Sequence, residues 1–311
     1  ANYDVTISGG TGGVINAITK SGTNEFRGSV YAYYRDNDWS GKNENDVRPV
    51  LFDNEQTYGF TLGGPIIKDR LFFFANYEKY KGKELFVGSG AGTGPIGSGQ
   101  SNIVNITQPQ IDEVIRIARN VWGFDPGVLA LPPLDTESEE YGIKIDWNIN
   151  DSHRASFRYG KSDQSQANLN GFGSRSLALN SYQYVRDFEL ETYTASLFSD
   201  WSSNFSTELK LSNRDYSAVR SPLSNLPAIA VRIGSNTLNL GTEENTHANV
   251  LETETFNAFF AGNLFIGDHT IKFGFDYEDN DIYNLFGRRT NGVYTFNCIN
   301  TVTNALGAGC T

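Results

Sequence analysis

The sequence predicts an all-β fold, an antiparallel transmembrane β-barrel wall, and three observations predict it. Strand candidates alternate apolar and polar side chains over long runs, a two-residue period. They pair through tight turns on one side and through long polar segments on the other. Aromatic residues make up 13% of the 311-residue chain and charged residues 20%. That mixture suits strands with one greasy face and one wet face. A soluble antiparallel sandwich fits the composition as well, so the layout has to decide.

Residues 1–25 are glycine-rich and lean to β structure around Gly9, Gly10, Gly12 and Gly13. The first strand candidate is 26–36, followed by a polar connection at about 37–54. Candidates 55–66 and 70–82 meet at the tight turn 67–69. In the second, Leu71, Phe73, Ala75 and Tyr77 share one face, while Phe72, Phe74, Asn76 and Glu78 share the other.

A long stretch, 83–138, comes next. Its glycine-rich part, Gly88–Gly99, reads as flexible loop. Within 110–121, Ile111, Val114, Ile115 and Ala118 recur at helical spacing, which predicts a short helix. Strand pairs then resume: 139–148 with 153–165, 188–200 with 204–218, and 251–264 with 269–283. Their turns lie at 149–152, 201–203 and 265–268. The opposite connections, about 166–187, 219–250 and 284–311, are long and rich in Asn, Gly and Ser.

The faces agree across strands. Tyr141, Ile143, Ile145 and Trp147 oppose Gly142, Lys144, Asp146 and Asn148. Ile271, Phe273, Phe275 and Tyr277 oppose Thr270, Lys272, Gly274 and Asp276. Short turns at one end and long segments at the other are the layout of outer-membrane barrels. The greasy face is expected to touch lipid and the charged face a wet or plugged lumen. Aromatics near strand ends, such as Trp147, Trp201 and Tyr277, fit interfacial girdles. About nine strands do not close a barrel, and hydrocarbon does not accept an open edge. The chain is therefore expected to be part of a larger wall.

Several functions are excluded. Net charge is −11 and no basic run follows an aromatic platform, so nucleic acid is not an expected partner. No apolar run reaches the 18 residues of a spanning helix. Residues Gly13 to Lys20 lack the Gly-Lys-[Ser/Thr] closure of a phosphate loop, and Pro95 spoils a dinucleotide loop at Gly90, Gly92 and Gly94. His153, His247 and His269 show no zinc spacing. There is no G-x-S-x-G elbow. No catalytic residue, metal site or cofactor is predicted. Glu278–Asp281 resembles a weak calcium ligand set, but a solvated rim explains it more simply. Cys298 and Cys310 are compatible with a loop disulfide in an oxidising compartment.

The stretch "GGTGGVINAITKSGTNEFRGSVYAYYRD" resembles the plug–barrel junction of TonB-dependent outer-membrane receptors. Gly12, Gly13, Val14, Ile15, Asn16, Thr19 and Lys20 stand at the family's Gly-Gly-x-Ile-Asn-x-x-Thr-Lys positions. With "LGGPIIKDRLFFFANYE", Leu62–Glu78, the pattern is similar to the Oar-like branch, whose members carry an N-terminal carboxypeptidase-regulatory-like domain. The resemblance implies a twenty-two-strand barrel around a plug. Residues 1–25 would end the plug, and 26–311 would begin the wall. It makes Gly12, Gly13, Asn16, Thr19 and Lys20 structural junction residues. It implies Gram-negative outer-membrane lipid and lipopolysaccharide as surroundings. It also implies a TonB–ExbB–ExbD partner acting through a segment absent from this chain. Uptake of a bulky solute is the expected function. Adhesion, surface display or secretion, with a surface or secreted protein partner, is the alternative, and a soluble β-sandwich binding domain is a third. The ligand-binding residues are not legible.

Overall fold

The computed structural model describes residues 19–42, 52–84, 92, 94–99, 102–130 and 135–297. In chain order the elements are β1 (Arg27–Asp36), β2 (Phe52–Ile67), β3 (Leu71–Glu84), β4 (Gly94–Ile96), β5 (Ile103–Thr107), α1 (Gln108–Asn120), β6 (Asp135–Asn150), β7 (His153–Asn168) and β8 (Ser176–Ala178). They continue with β9 (Tyr184–Ser202), β10 (Phe205–Pro222), β11 (Ala228–Ile233), β12 (Asn236–Leu240), β13 (Ala248–Ile266), β14 (His269–Gly287) and β15 (Val293–Asn297).

Nine strands form one antiparallel meander in the order β1-β2-β3-β6-β7-β9-β10-β13-β14. Each predicted wall strand is present, and most run a few residues further at their ends. β13 and β14 reach 19 residues. A tilted strand crosses a bilayer in about 9–11 residues, so the remainder projects beyond it. The tight turns stand where the alternation breaks. Gly267 supplies the positive φ, 58°, that the last of these turns needs. At another, Asn150 accepts the N–H groups of Ser152 and His153 through its side-chain oxygen, both at 2.9 Å.

Register makes the two faces explicit. One rung runs Phe73, Ile145, Phe157, Ala195, Leu211, Ala258 and Tyr277 across seven strands. The rung beside it, one residue along, runs Phe74, Lys144, Arg158, Thr194, Ser212, Asn257 and Glu278. The apolar face is exposed, with Val30 at 89% and Phe275 at 58%. Among the described residues no second sheet covers it, so the soluble sandwich does not hold.

The buried core lies elsewhere. Connections expected to be irregular fold together at the long-segment end of the meander. There β15-β11-β12-β8 make a four-stranded sheet, and β4 pairs in parallel with β5. Gly94–Ile96, inside the stretch expected to be flexible loop, is therefore strand. The helix expected at 110–121 is α1. Gln110 reaches back from its first turn to accept the Thr107 N–H at 2.9 Å, which satisfies a donor the helix would leave open. Its stripe of Ile111, Val114 and Ala118 is buried. That stripe joins Val104 and Ile106 of β5, Leu177 and Leu179 at β8, and Ile229, Ile233, Leu238 and Leu240 of β11–β12. Three separate connections thus share one small core, and a fourth supplies the edge strand β15.

Candidate functional site

The outer, apolar face ends in a row of tyrosines toward the cap. Tyr77 and Tyr141 are register partners. Tyr141 and Tyr159 have ring centroids 6.1 Å apart, and Tyr159 and Tyr193 5.0 Å. Immediately beyond, the same face turns charged. Tyr159 and Tyr193 donate their hydroxyls to Glu191, at 2.7 and 2.8 Å. Lys79 pairs with Glu139 at 2.8 Å, Lys81 with Glu137 at 2.8 Å, and Lys161 with Glu189 at 2.8 Å. A ring that is apolar at its body and polar at its tip suits that boundary. At the turn end, the rings of His153 and Trp201 meet edge-on at 4.9 Å.

The inner face is polar and partly basic. Tyr31 donates to Glu78 at 2.6 Å across two strands. The segment before β1 lies on this face. Lys144 donates to the Ser21 hydroxyl at 2.7 Å. Gly22 packs so closely on the β2–β3 hairpin that a Cβ would run into the carbonyl oxygens of Phe73 and Gly64. Only a residue without a side chain lets the two backbones approach in this way. Asn24 then ties the segment to the first tight turn, its side-chain oxygen accepting the Asp69 N–H at 2.8 Å. Asp69 itself holds a φ of 65°.

Of the predicted junction residues, Gly12, Gly13 and Asn16 lie outside the described residues, as do Cys298 and Cys310. Thr19 is half-buried and Lys20 exposed, both in unpaired backbone leading to Ser21. The next residues, Ser21, Gly22 and Asn24, touch the wall, Ser21 through Lys144. "SGTN", residues 21–24, directly follows the predicted motif, so adjacency was the available signal. The Glu278–Asp281 stretch is strand rather than loop. Glu278 and Asn280 face inward while Asp279 and Asp281 face outward, so the four do not converge on one cation. Among the described residues no group of His, Cys, Asp and Glu is arranged to hold a metal.

In the cap, Glu244 receives Arg289 at 2.7 Å and also Arg288, which together hold its carboxyl below the usual range. The neighbouring His247 accepts the Asn291 N–H at Nδ1, 3.0 Å, and its Nε2–H donates to the Thr242 carbonyl, 3.2 Å. This clasp joins the connection after β10 to the segment after β14. Burial, with Glu243 and Glu244 adding negative charge, pushes the Tyr182 hydroxyl up to about 12.

A family model described as an outer membrane beta barrel domain matches residues 18–87 and 125–308. The chain belongs to this outer-membrane β-barrel family. Its apolar face is thus the lipid face of an outer-membrane barrel, and its polar face looks into the lumen. A relative, the TonB-dependent transporter Oar of Myxococcus xanthus, is 46% identical over 74 residues, which are 22% of this chain and 7% of that protein. Among solved structures, a mutant ferric enterobactin receptor of Pseudomonas aeruginosa superposes with a TM-score of 0.52 at 14% identity. That match covers 85% of this barrel chain and 32% of the receptor. At such identity the likeness shows the fold alone. The chain spans a small part of the first protein and about a third of the second.

Proposed function

We propose that this chain is the first part of the wall of a TonB-dependent outer-membrane receptor of the Oar-like branch, together with the end of its plug. Residues 1–25 end the plug domain and 26–311 begin the barrel. One observation carries the reading: residues 21–24 lie on the lumen face and bond to it or pack on it before the chain turns into β1. A chain leaving a plug has to enter the wall from inside.

The receptor takes a bulky solute from outside and moves it across the outer membrane. No bond is made or broken. The TonB–ExbB–ExbD complex supplies the work, acting on a part of the protein other than this wall. The edges of the meander, β1 and β14, have no outer neighbour among the described residues. Hydrocarbon does not accept unpaired strand edges, so further strands of the same protein close the barrel. The charged row beyond the tyrosines stands at the level of lipopolysaccharide headgroups.

The test uses the native full-length protein in cell envelopes. A heat-modifiable species confined to the detergent-extracted outer membrane, with solute uptake that stops when the inner-membrane proton gradient is collapsed, is the expected result. A soluble, cooperatively folded monomer would overturn the barrel assignment. Uptake that continues without the gradient would overturn energised transport and leave the barrel standing.

A further inference from the structure

The charges of β7, β9 and β10 separate by face. Outward, Asp163, Asp187, Glu189, Glu191 and Asp215 outnumber the single cation Lys161. Inward stand Arg154, Arg158, Arg186, Arg214 and Arg220, with Lys210 beside Glu208, and with Asp200 near the turn end as the other carboxylate of these three strands. The outward lysine is ion-paired, to Glu189. None of the five inward arginines has a carboxylate partner among the described residues; Arg214 has only a 3.4 Å hydrogen bond to Thr255.

Two of these arginines face each other. Arg186 of β9 and Arg220 of β10 are direct cross-strand partners. Like charges placed directly opposite destabilise a strand pair. Gln166, the register partner of Arg186 on β7, brings no compensating charge. Both arginines are half-buried, just below the cap. Each guanidinium lies over a ring: Arg186 over Phe188 at 4.9 Å, and Arg220 over Tyr184 at 5.5 Å. Stacking fixes the plane of a guanidinium and leaves its N–H fork free for oxygen acceptors. Farther down, Arg154 lies over Phe198 in the same manner, at 5.4 Å.

We propose that Arg186 and Arg220 form an oxyanion-binding site on the lumen wall beneath the cap. Arg214, Arg158 and Arg154 continue it toward the turn end. The solute it takes carries carboxylate or phosphate groups, which two opposed guanidinium forks bind bidentately. The site deepens the receptor reading and rests on its assignment of this face to the lumen. Equilibrium anion binding does not need energised transport, so the two can fail separately.

The test uses full-length receptor purified from outer membranes in detergent, with folding of each variant confirmed by heat-modifiability. Citrate and tripolyphosphate are the probes, against sodium chloride of equal ionic strength. Wild type should melt at higher temperature with either probe, but not with chloride. The shift should vanish in the double variant Arg186→Gln/Arg220→Gln and persist in Lys161→Gln on the outer face. Isothermal titration should show at least about tenfold weaker binding for either single variant. Without anion, each single variant should melt no lower than wild type, because repulsion is relieved. No probe-dependent shift in wild type, or a shift that survives in the double variant, would overturn the site. Single variants that melt lower without anion would also overturn it, showing that a carboxylate of the plug already fills the position.

Discussion

The wall and the cap use the same kinds of residue to opposite ends. In the wall, Phe157, Leu209, Leu211 and Phe275 stay exposed at the surface of a nine-stranded sheet. In the cap, Val104, Leu177 and Leu238 are fully buried although their strands are only three to five residues long. The wall lies in lipid, so its greasy side chains need no protein neighbour. The cap stands in water and must bury what it has. Apolar residues therefore report the surrounding solvent as much as they report a core.

The sharpest way to break this contrast is Leu238→Ala. It should cost about 2–5 kcal/mol in the cap core. Hydrogen exchange should rise across residues 103–120 and 228–240, while the wall keeps its heat-modifiability. Phe157→Lys should do the reverse. A charge on the lipid face costs about 2–4 kcal/mol at mid-bilayer. Folding into vesicles should weaken, and cap exchange in the folded fraction should stay unchanged.

Smaller effects test the joints between regions. Gly22→Ala pushes a methyl group against backbone carbonyls and should cost about 1–3 kcal/mol. Faster proteolysis near residues 19–26 would report the lifted segment. Glu244→Gln should cost about 1 kcal/mol, seen as faster exchange at 288–297 only. Acid should mimic it. The Glu244 carboxyl is held below its ordinary value of 4.5 by Arg289 and then Arg288. The clasp's contribution is therefore complete above that value and is lost as pH falls through the lowered one. The protection of the amides at 288–297, taken relative to the intrinsic exchange rate at each pH, should be steady above 4.5 and should fall as the pH drops through the lowered value.

The wall was legible because a two-residue period survives over a dozen residues and any slip would turn every side chain over. Its strand ends were less legible, since residues such as Asp135–Ser138 and Arg220–Pro222 carry no strong alternation. The cap was not legible. Its apolar pairs, Val104 with Ile106, Leu177 with Leu179, and Leu238 with Leu240, are each too short to stand out. Only their meeting across three connections makes a core. The helix α1 was the exception, because it keeps its own period. Beside Thr19 and Lys20 of the motif, Ser21, Gly22 and Asn24 bond to the wall or pack on it, a backbone proximity that no spacing in the sequence shows. The inward arginines show the same limit: "YVRDF" assigns Arg186 and Asp187 to opposite faces, but only register sets Arg186 against Arg220.

The shared core of the cap has a consequence for how such a surface changes over time. Loops on a barrel are usually free to vary one by one, because each answers only to its own ends. Here a substitution at Leu177 is felt by Leu238 and Ile111, which arrive from other connections. Grafting one connection onto a foreign barrel would carry an unburied face with it. The outer surface is inherited as a set, and new specificity has to come from the rim of the cap or be bought by coordinated change in three places at once.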